Sequence, residues 1–177
     1  NLSIPTLNFC GGKNISKNDL YSYSSFIGDS LSVFYLPKFS WSVRKREAVS
    51  KVYLGDGGYI NLVESGQEKG KRMENLVFLE LERRKKALTQ YFYWKNQEQE
   101  EVDFVIKEKN TVTELIQVCY DPYEPETKKR ELRALVKALD EFALPAGLMI
   151  TNDYEAVEKI KDKKIRFVPL WKWLLGK

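Results

Sequence analysis

Glu101-Val-Asp-Phe-Val-Ile106 and Leu115-Ile-Gln-Val-Cys119 decide the reading of the fold. Both are apolar runs of strand length rich in branched side chains, and each carries one polar residue in its interior: Asp103 in the first, Gln117 in the second. Working outward, Tyr91–Trp94 reads as a strand before them, and the second run extends over Val112–Tyr120. Upstream, helical spacing covers about Gln67 to Lys86. Met73, Leu76, Val77, Phe78 and Leu81 give it a wide apolar face, and Arg83–Lys86 suits its C-terminal end. Downstream, Asp121–Pro125 is a loop and Glu126–Phe142 a helix with Leu132, Leu135, Val136 and Leu139 in one stripe. Ala146–Ile150 and Lys164–Val168 read as strands with a helix expected between them. The order αβββαβ(α)β predicts an α/β fold around a mixed sheet flanked by helices.

The first third reads differently. Ser3–Phe9 is a short helical candidate, and Ser16 starts a stronger helix with Asp19 as its capping-box partner and Gly28 as its expected stop. Strands at Leu31–Leu36 and Ser50–Leu54 bracket a basic, aromatic segment. Helix, turn, helix and basic hairpin match the end of a winged helix-turn-helix, with a small helical cap and solvated hairpin as the alternative. This predicts two units, a partial winged helix at 1–63 and the α/β domain at 64–177.

Composition removes several chemistries. The 177-residue chain has no His, so a Ser-His-Asp triad, a Cys-His pair or a His-bearing zinc site cannot be built from it. Two Cys make neither a disulfide framework nor a four-Cys site. No apolar run reaches membrane-spanning length, so no membrane partner is expected. With no targeting signal, a cytoplasmic location is expected. The first residue is Asn1, which reads as a piece of a longer protein. The net charge is +4, most of it in residues 1–63, a hint of an anionic partner there.

Carboxylates that intrude on apolar surfaces mark the candidate site. Glu74 lies between Leu81 and Phe78 on a helical wheel, and Glu80 between Met73 and Leu76. With Asp103 and Gln117 they offer polar groups from one helix and two adjacent strands, which must be paired, solvated or bound to a cation. The alternative is that they merely bond one another or line a wet edge.

The order of elements, with a helix carboxylate, a strand Asp and a following polar strand, resembles the PD-(D/E)xK or restriction-endonuclease-like superfamily. More narrowly, the chain resembles the C-terminal half of a family of prokaryotic, often archaeal, AAA+ ATPases. The matching stretches include Ile15–Tyr23, Pro37–Phe39, Lys51–Asp56, Glu74–Leu81, Glu101–Ile106, Leu115–Asp121, Glu126–Glu131 and the closing Pro-Leu-Trp-Lys-Trp-Leu-Leu. The resemblance implies an N-terminal P-loop domain carrying ATP binding and hydrolysis, then a winged helix, then a nuclease-like domain. No Gly-x-x-x-x-Gly-Lys-[Ser/Thr] occurs in this chain, so ATP belongs to the parent protein.

An active nuclease of that superfamily carries Glu-x-Lys or Asp-x-Lys on the third strand, where this chain has Gln117-Val118-Cys119. The resemblance therefore implies a degenerate site of Glu74, Asp103 and Gln117. Glu74 and Asp103 are candidate Mg²⁺ ligands, and Lys128 is a candidate migrated lysine. The expected function is a DNA- or partner-binding region of the ATPase. The alternatives are a Mg²⁺-dependent nuclease and a regulatory protein–protein module. Double-stranded DNA is the expected nucleic-acid partner, contacted by Arg44, Lys45, Arg46 and Lys51 beside Phe39 and Trp41. The N-terminal ATPase domain of the same chain is the other expected partner, and oligomers are allowed.

Overall fold

The computed structural model describes residues 16–41, 50–59 and 68–176. The expected helix at 3–9, the tip of the basic hairpin and the expected 63/64 boundary lie outside the described residues.

Helix α1 (Lys17–Asp29) starts at the expected capping box. Ser16 Oγ accepts from the Asp19 N–H at 3.1 Å, and the Asp19 carboxylate accepts from the Ser16 N–H at 3.2 Å. Its end differs from expectation. The helix runs past Gly28 to Asp29, and the left-handed residue is Leu31, with φ of 57°. The Ser30 and Leu31 N–H groups donate to the Phe26 and Gly28 carbonyls, so the turn closes without a glycine stop.

Strands β1 (Val33–Pro37) and β2 (Ser50–Leu54) form an antiparallel ribbon with Val33 opposite Leu54. Gly55 closes its base. A Cβ there would stand 2.0 Å from the Leu31 carbonyl oxygen, so only glycine admits the close approach.

The large sheet holds six strands: β3 (Thr89–Lys95), β4 (Glu101–Glu108), β5 (Thr111–Cys119), β6 (Ala146–Thr151), β7 (Ala156–Ile160) and β8 (Lys163–Pro169). Their spatial order is β3-β4-β5-β6-β8-β7. β3, β4 and β5 pair antiparallel, β5, β6 and β8 parallel, and β7 returns antiparallel on β8. The mixed sheet is as expected. The helix anticipated before the last strand is instead β7, whose alternating accessibility follows the two-residue period of a strand.

Helix α2 (Lys69–Arg84) packs on one face of this sheet, burying Met73, Val77, Phe78 and Leu81 with Phe104, Ile116 and Ile150. Leu76, expected on that face, is exposed, and Asn75 is buried instead. The Asn75 amide closes on Leu54 of β2, accepting from its N–H at 2.8 Å and donating to its carbonyl at 3.0 Å. Helix α3 (Pro125–Glu141) covers the other face, where Leu135 and Leu139 meet Val105, Leu115, Met149 and Ile165. A short helix α4 (Leu170–Leu174) follows β8.

The ribbon is tied into this body. Leu36 and Tyr53 join the α2-side core, and Tyr53 stacks on Phe78 with ring centroids 4.2 Å apart. Phe39 joins the α3-side core between Phe92 and Phe142, and its N–H donates to the Tyr93 carbonyl of β3 at 2.7 Å.

Candidate functional site

At the start of β4 the regular ladder with β5 stops at the Phe104–Ile116 pair, and side chains take over. The Val118 N–H donates to Asp103 Oδ2 at 3.0 Å, and the Asp103 N–H donates to Gln117 Oε1 at 3.2 Å. The other end of Gln117 donates from Nε2 to Glu131 of α3 at 2.7 Å. This opening makes room for side chains from three directions. Glu74 arrives from α2, Glu101 and Asp103 from β4, and Lys51 from β2.

Lys51 is the centre of the arrangement. Its Nζ lies 2.9 Å from Glu74 Oε1, 2.9 Å from Asp103 Oδ1 and 2.7 Å from Glu101 Oε1. Tyr53 donates its hydroxyl to the same Glu74 oxygen at 2.6 Å, and Lys95 lies 3.3 Å from the second oxygen of Glu101. The cluster opens on a cleft of about 460 Å³ that Glu98, Glu100, Gln117, Glu131, Arg130 and Arg133 also line.

The electrostatics follow from one ammonium facing three carboxylates. Burial disfavours the charged form of Lys51, but Asp103, Glu74 and Glu101 outweigh it, and the net shift is upward. Burial and the negative charge of Glu74 push the Asp103 carboxyl up, against the pull of Lys51 and the Val118 hydrogen bond. Burial and Glu74 likewise hold the Tyr53 hydroxyl protonated, as a donor.

Of the three expected site residues, Glu74 and Asp103 meet on the Lys51 ammonium, while Gln117 accepts from the Asp103 N–H and is spent bridging β4 to Glu131. Two expectations need correction. Lys128 does not reach this cluster: its Nζ pairs with Glu158 Oε1 at 2.6 Å and lies 4.9 Å from the ring centroids of both Tyr154 and Phe167. Lys51, expected on DNA phosphates, is turned inward and neutralised. Its position two residues from Tyr53 puts both on one face of β2, and a lysine sharing a face with a buried tyrosine was the available signal. Arg44, Lys45 and Arg46 lie outside the described residues. Glu80 is not part of the site. It is clamped by Arg83 and Arg84, both at 2.6 Å, and its hydrogen bond from Arg83 is the chief pull bringing its pKa to about 2.

The residues present do not fit a divalent cation. The point on which Glu74, Glu101 and Asp103 converge is filled by the Lys51 ammonium, and no cluster of three metal-ligating side chains suited to an ion occurs among the described residues. Cys119 cannot substitute for a lysine facing the cleft. It is buried in the α3-side core, where burial raises its thiol to about 12.

The family description "Domain of unknown function (DUF4143)" matches residues 69–173. The chain is also 37% identical over 167 residues to the "Uncharacterized protein MJ1544" of Methanocaldococcus jannaschii, a match covering 91% of this chain and 37% of that protein. The chain therefore corresponds to well under half the length of that relative. No solved structure matches. Among the described residues no helix is long and apolar enough to cross a membrane.

Proposed function

The chain belongs to the domain family of unknown function DUF4143, and we propose that it is the non-catalytic, partner-binding C-terminal region of an AAA+ ATPase. In this reading the mixed sheet is a restriction-endonuclease-like scaffold whose PD-(D/E)xK site has been converted from a metal centre into an internal salt-bridge cluster. The observation that carries it is Lys51. A single ammonium from β2 takes up one oxygen each of Glu74, Glu101 and Asp103, the groups a nuclease would spend on Mg²⁺. Gln117 and Cys119, standing where Glu-x-Lys is required, support the same conclusion.

ATP binding and hydrolysis fall to the rest of such a parent protein. The archaeal relative is long enough for this, since more than half of it lies outside the match. The second reading, binding of duplex DNA, is favoured by the positive surplus of residues 1–63 and by Arg44, Lys45 and Arg46, which follow the exposed Trp41 closely in sequence. Lys51 no longer belongs to that set. The cleft itself is rich in carboxylates and would repel phosphates.

The test is incubation of the chain with supercoiled plasmid and Mg²⁺ or Mn²⁺, beside duplex affinity measured against salt. Intact plasmid is expected. The Gln117→Glu, Cys119→Lys double variant should not restore cutting, because position 119 faces the core and Lys51 still fills the cluster. Cleavage by the wild type that disappears in Asp103→Asn would overturn the non-catalytic reading. Salt-sensitive duplex binding that is lost on neutralising Arg44, Lys45 and Arg46 would replace the protein partner by DNA.

A further inference from the structure

The surface of α3 carries a feature that the carboxylate cluster does not use. A groove of about 530 Å³ runs beside α3 and the β7–β8 turn. Its floor is apolar, made by Leu132, Val136 and Ile160. Its rim is cationic: Lys128, Lys129, Arg133 and Lys137 from the helix, and Lys161 from the turn. Among the described residues no acidic side chain lines it. From Pro125 to Lys137 the lining residues recur three or four apart, so the groove follows one side of α3 for roughly 18 Å at 1.5 Å per residue.

The rim cations are not equivalent. Lys128 is held by Glu158, Arg133 by Glu100, and Lys137 by Glu98 and Glu100. Lys129 and Lys161 are exposed and make no ion pair among the described residues. Two unpaired ammonium groups on an apolar trough call for carboxylates beside apolar side chains.

We propose that this groove docks an acidic amphipathic helix of a protein partner, its apolar ridge on Leu132, Val136 and Ile160 and its flanking carboxylates on Lys129 and Lys161. Helix-in-groove recognition reads apolar anchors at i, i+3, i+4 and i+7, and a trough some three helical turns long suits it. A nucleic acid fits less well. Its phosphates would have to lie over an apolar floor that offers no hydrogen bonds, and three of the five cations are already neutralised. The proposal gives a chemistry to the partner inferred above, but it stands on the groove alone and survives even if the chain proves to cut DNA.

The probe is a fluorescent peptide of about 14 residues, with Leu at helical spacing and Glu elsewhere. It is measured by anisotropy against the whole 177-residue chain. The controls are a scrambled peptide of the same composition, a version with Lys for Glu, and an unlabelled DNA duplex. The acidic amphipathic peptide should bind at least about tenfold tighter than either peptide control, and the Lys129→Glu, Lys161→Glu variant should lose about tenfold in affinity. Both substitutions are on exposed side chains, so the fold is retained. Methyl NMR shifts should gather on Leu132, Val136 and Ile160. No binding, equal binding of the scrambled peptide, unchanged affinity in the charge-reversed variant, or displacement of the peptide by the duplex would each overturn the proposal. Plasmid cleavage, read separately, bears on the non-catalytic reading and not on the groove.

Discussion

Lys51 and Lys128 have nearly the same side-chain accessibility, 21% and 24%, and they do opposite things. Lys128 spans α3 and β7 with one carboxylate, Glu158, and spends the rest of its charge on the rings of Tyr154 and Phe167. Lys51 faces three carboxylates from two elements of the sheet domain while itself belonging to the ribbon. Burial alone does not distinguish them. The number of like charges that a single ammonium keeps apart does, and it turns a side chain on a short ribbon into the counter-ion of the candidate site.

The largest expected effect comes from removing that counter-ion. Lys51→Met removes the counter-ion of Glu74 and Asp103 in a partly buried place, with only Glu101 keeping a cation in Lys95, and should cost roughly 3 kcal/mol at pH 7, the lower end for breaking a buried pair. Urea denaturation measures it. The loss should shrink as the pH falls and Asp103 takes up a proton. A cost below about 1 kcal/mol would mean that water screens the cluster as it screens an ordinary surface pair.

Much of this architecture was legible in the sequence, for physical reasons that differ by element. Helix α3 and strands β4 and β5 have periodic patterns long enough to name the element, and the Ser16–Asp19 box fixed the start of α1 locally. Glu74, Asp103 and Gln117 stood out because polar groups on apolar faces need partners. The identity of the partner was not legible. Lys51 contacts Asp103 across 52 positions of sequence, and it belongs to the run of basic residues that reads as solvated or phosphate-binding. Asn75 and Leu76 exchanged roles for a similar reason: the Asn75 amide is buried because β2 ends against it. β7 resembles a helix in the sequence because a five-residue strand at a sheet edge has too short a period to outweigh its charged residues.

A second, smaller effect separates the members of the cluster by their pH dependence. Asp103→Asn keeps an oxygen to accept from the Val118 N–H but loses the charge facing Lys51, at a cost of roughly 1–2 kcal/mol at pH 7. In the folded chain burial and Glu74 raise this carboxyl from 3.8 to about 7. A carboxyl raised by folding takes up protons as the chain folds, so its contribution is fully present below 3.8 and is lost as the pH climbs toward 7. The stability gap between wild type and Asp103→Asn should therefore widen as the pH falls from 7 to 4. Stability curves for the two chains at pH 7, 5.5 and 4 check this, and a gap that narrows would mean that Lys51 dominates Asp103 and holds it ionised.

The smallest effect belongs to the other lysine. Lys128→Met removes one ion pair and two cation–ring contacts, but leaves Glu158 26% exposed and still bonded to the Tyr154 hydroxyl at 2.8 Å. The methionine chain can keep the apolar contact with both rings. The expected loss is about 1 kcal/mol, that of an exposed or half-exposed pair. Burial opposes the charged form of Lys128, yet Glu158 and Tyr154 outweigh it and its ammonium is held above the ordinary 10.5. That stabilisation is complete below pH 10.5 and fades only as the pH rises beyond it, so the loss should be the same at pH 5 and pH 8. Lys51→Met, by contrast, should improve at the lower pH. Parallel melts of the two variants at those pH values read the contrast directly. Equal losses with equal pH dependence would remove the distinction between a lysine that neutralises a site and one that pins a helix to a strand.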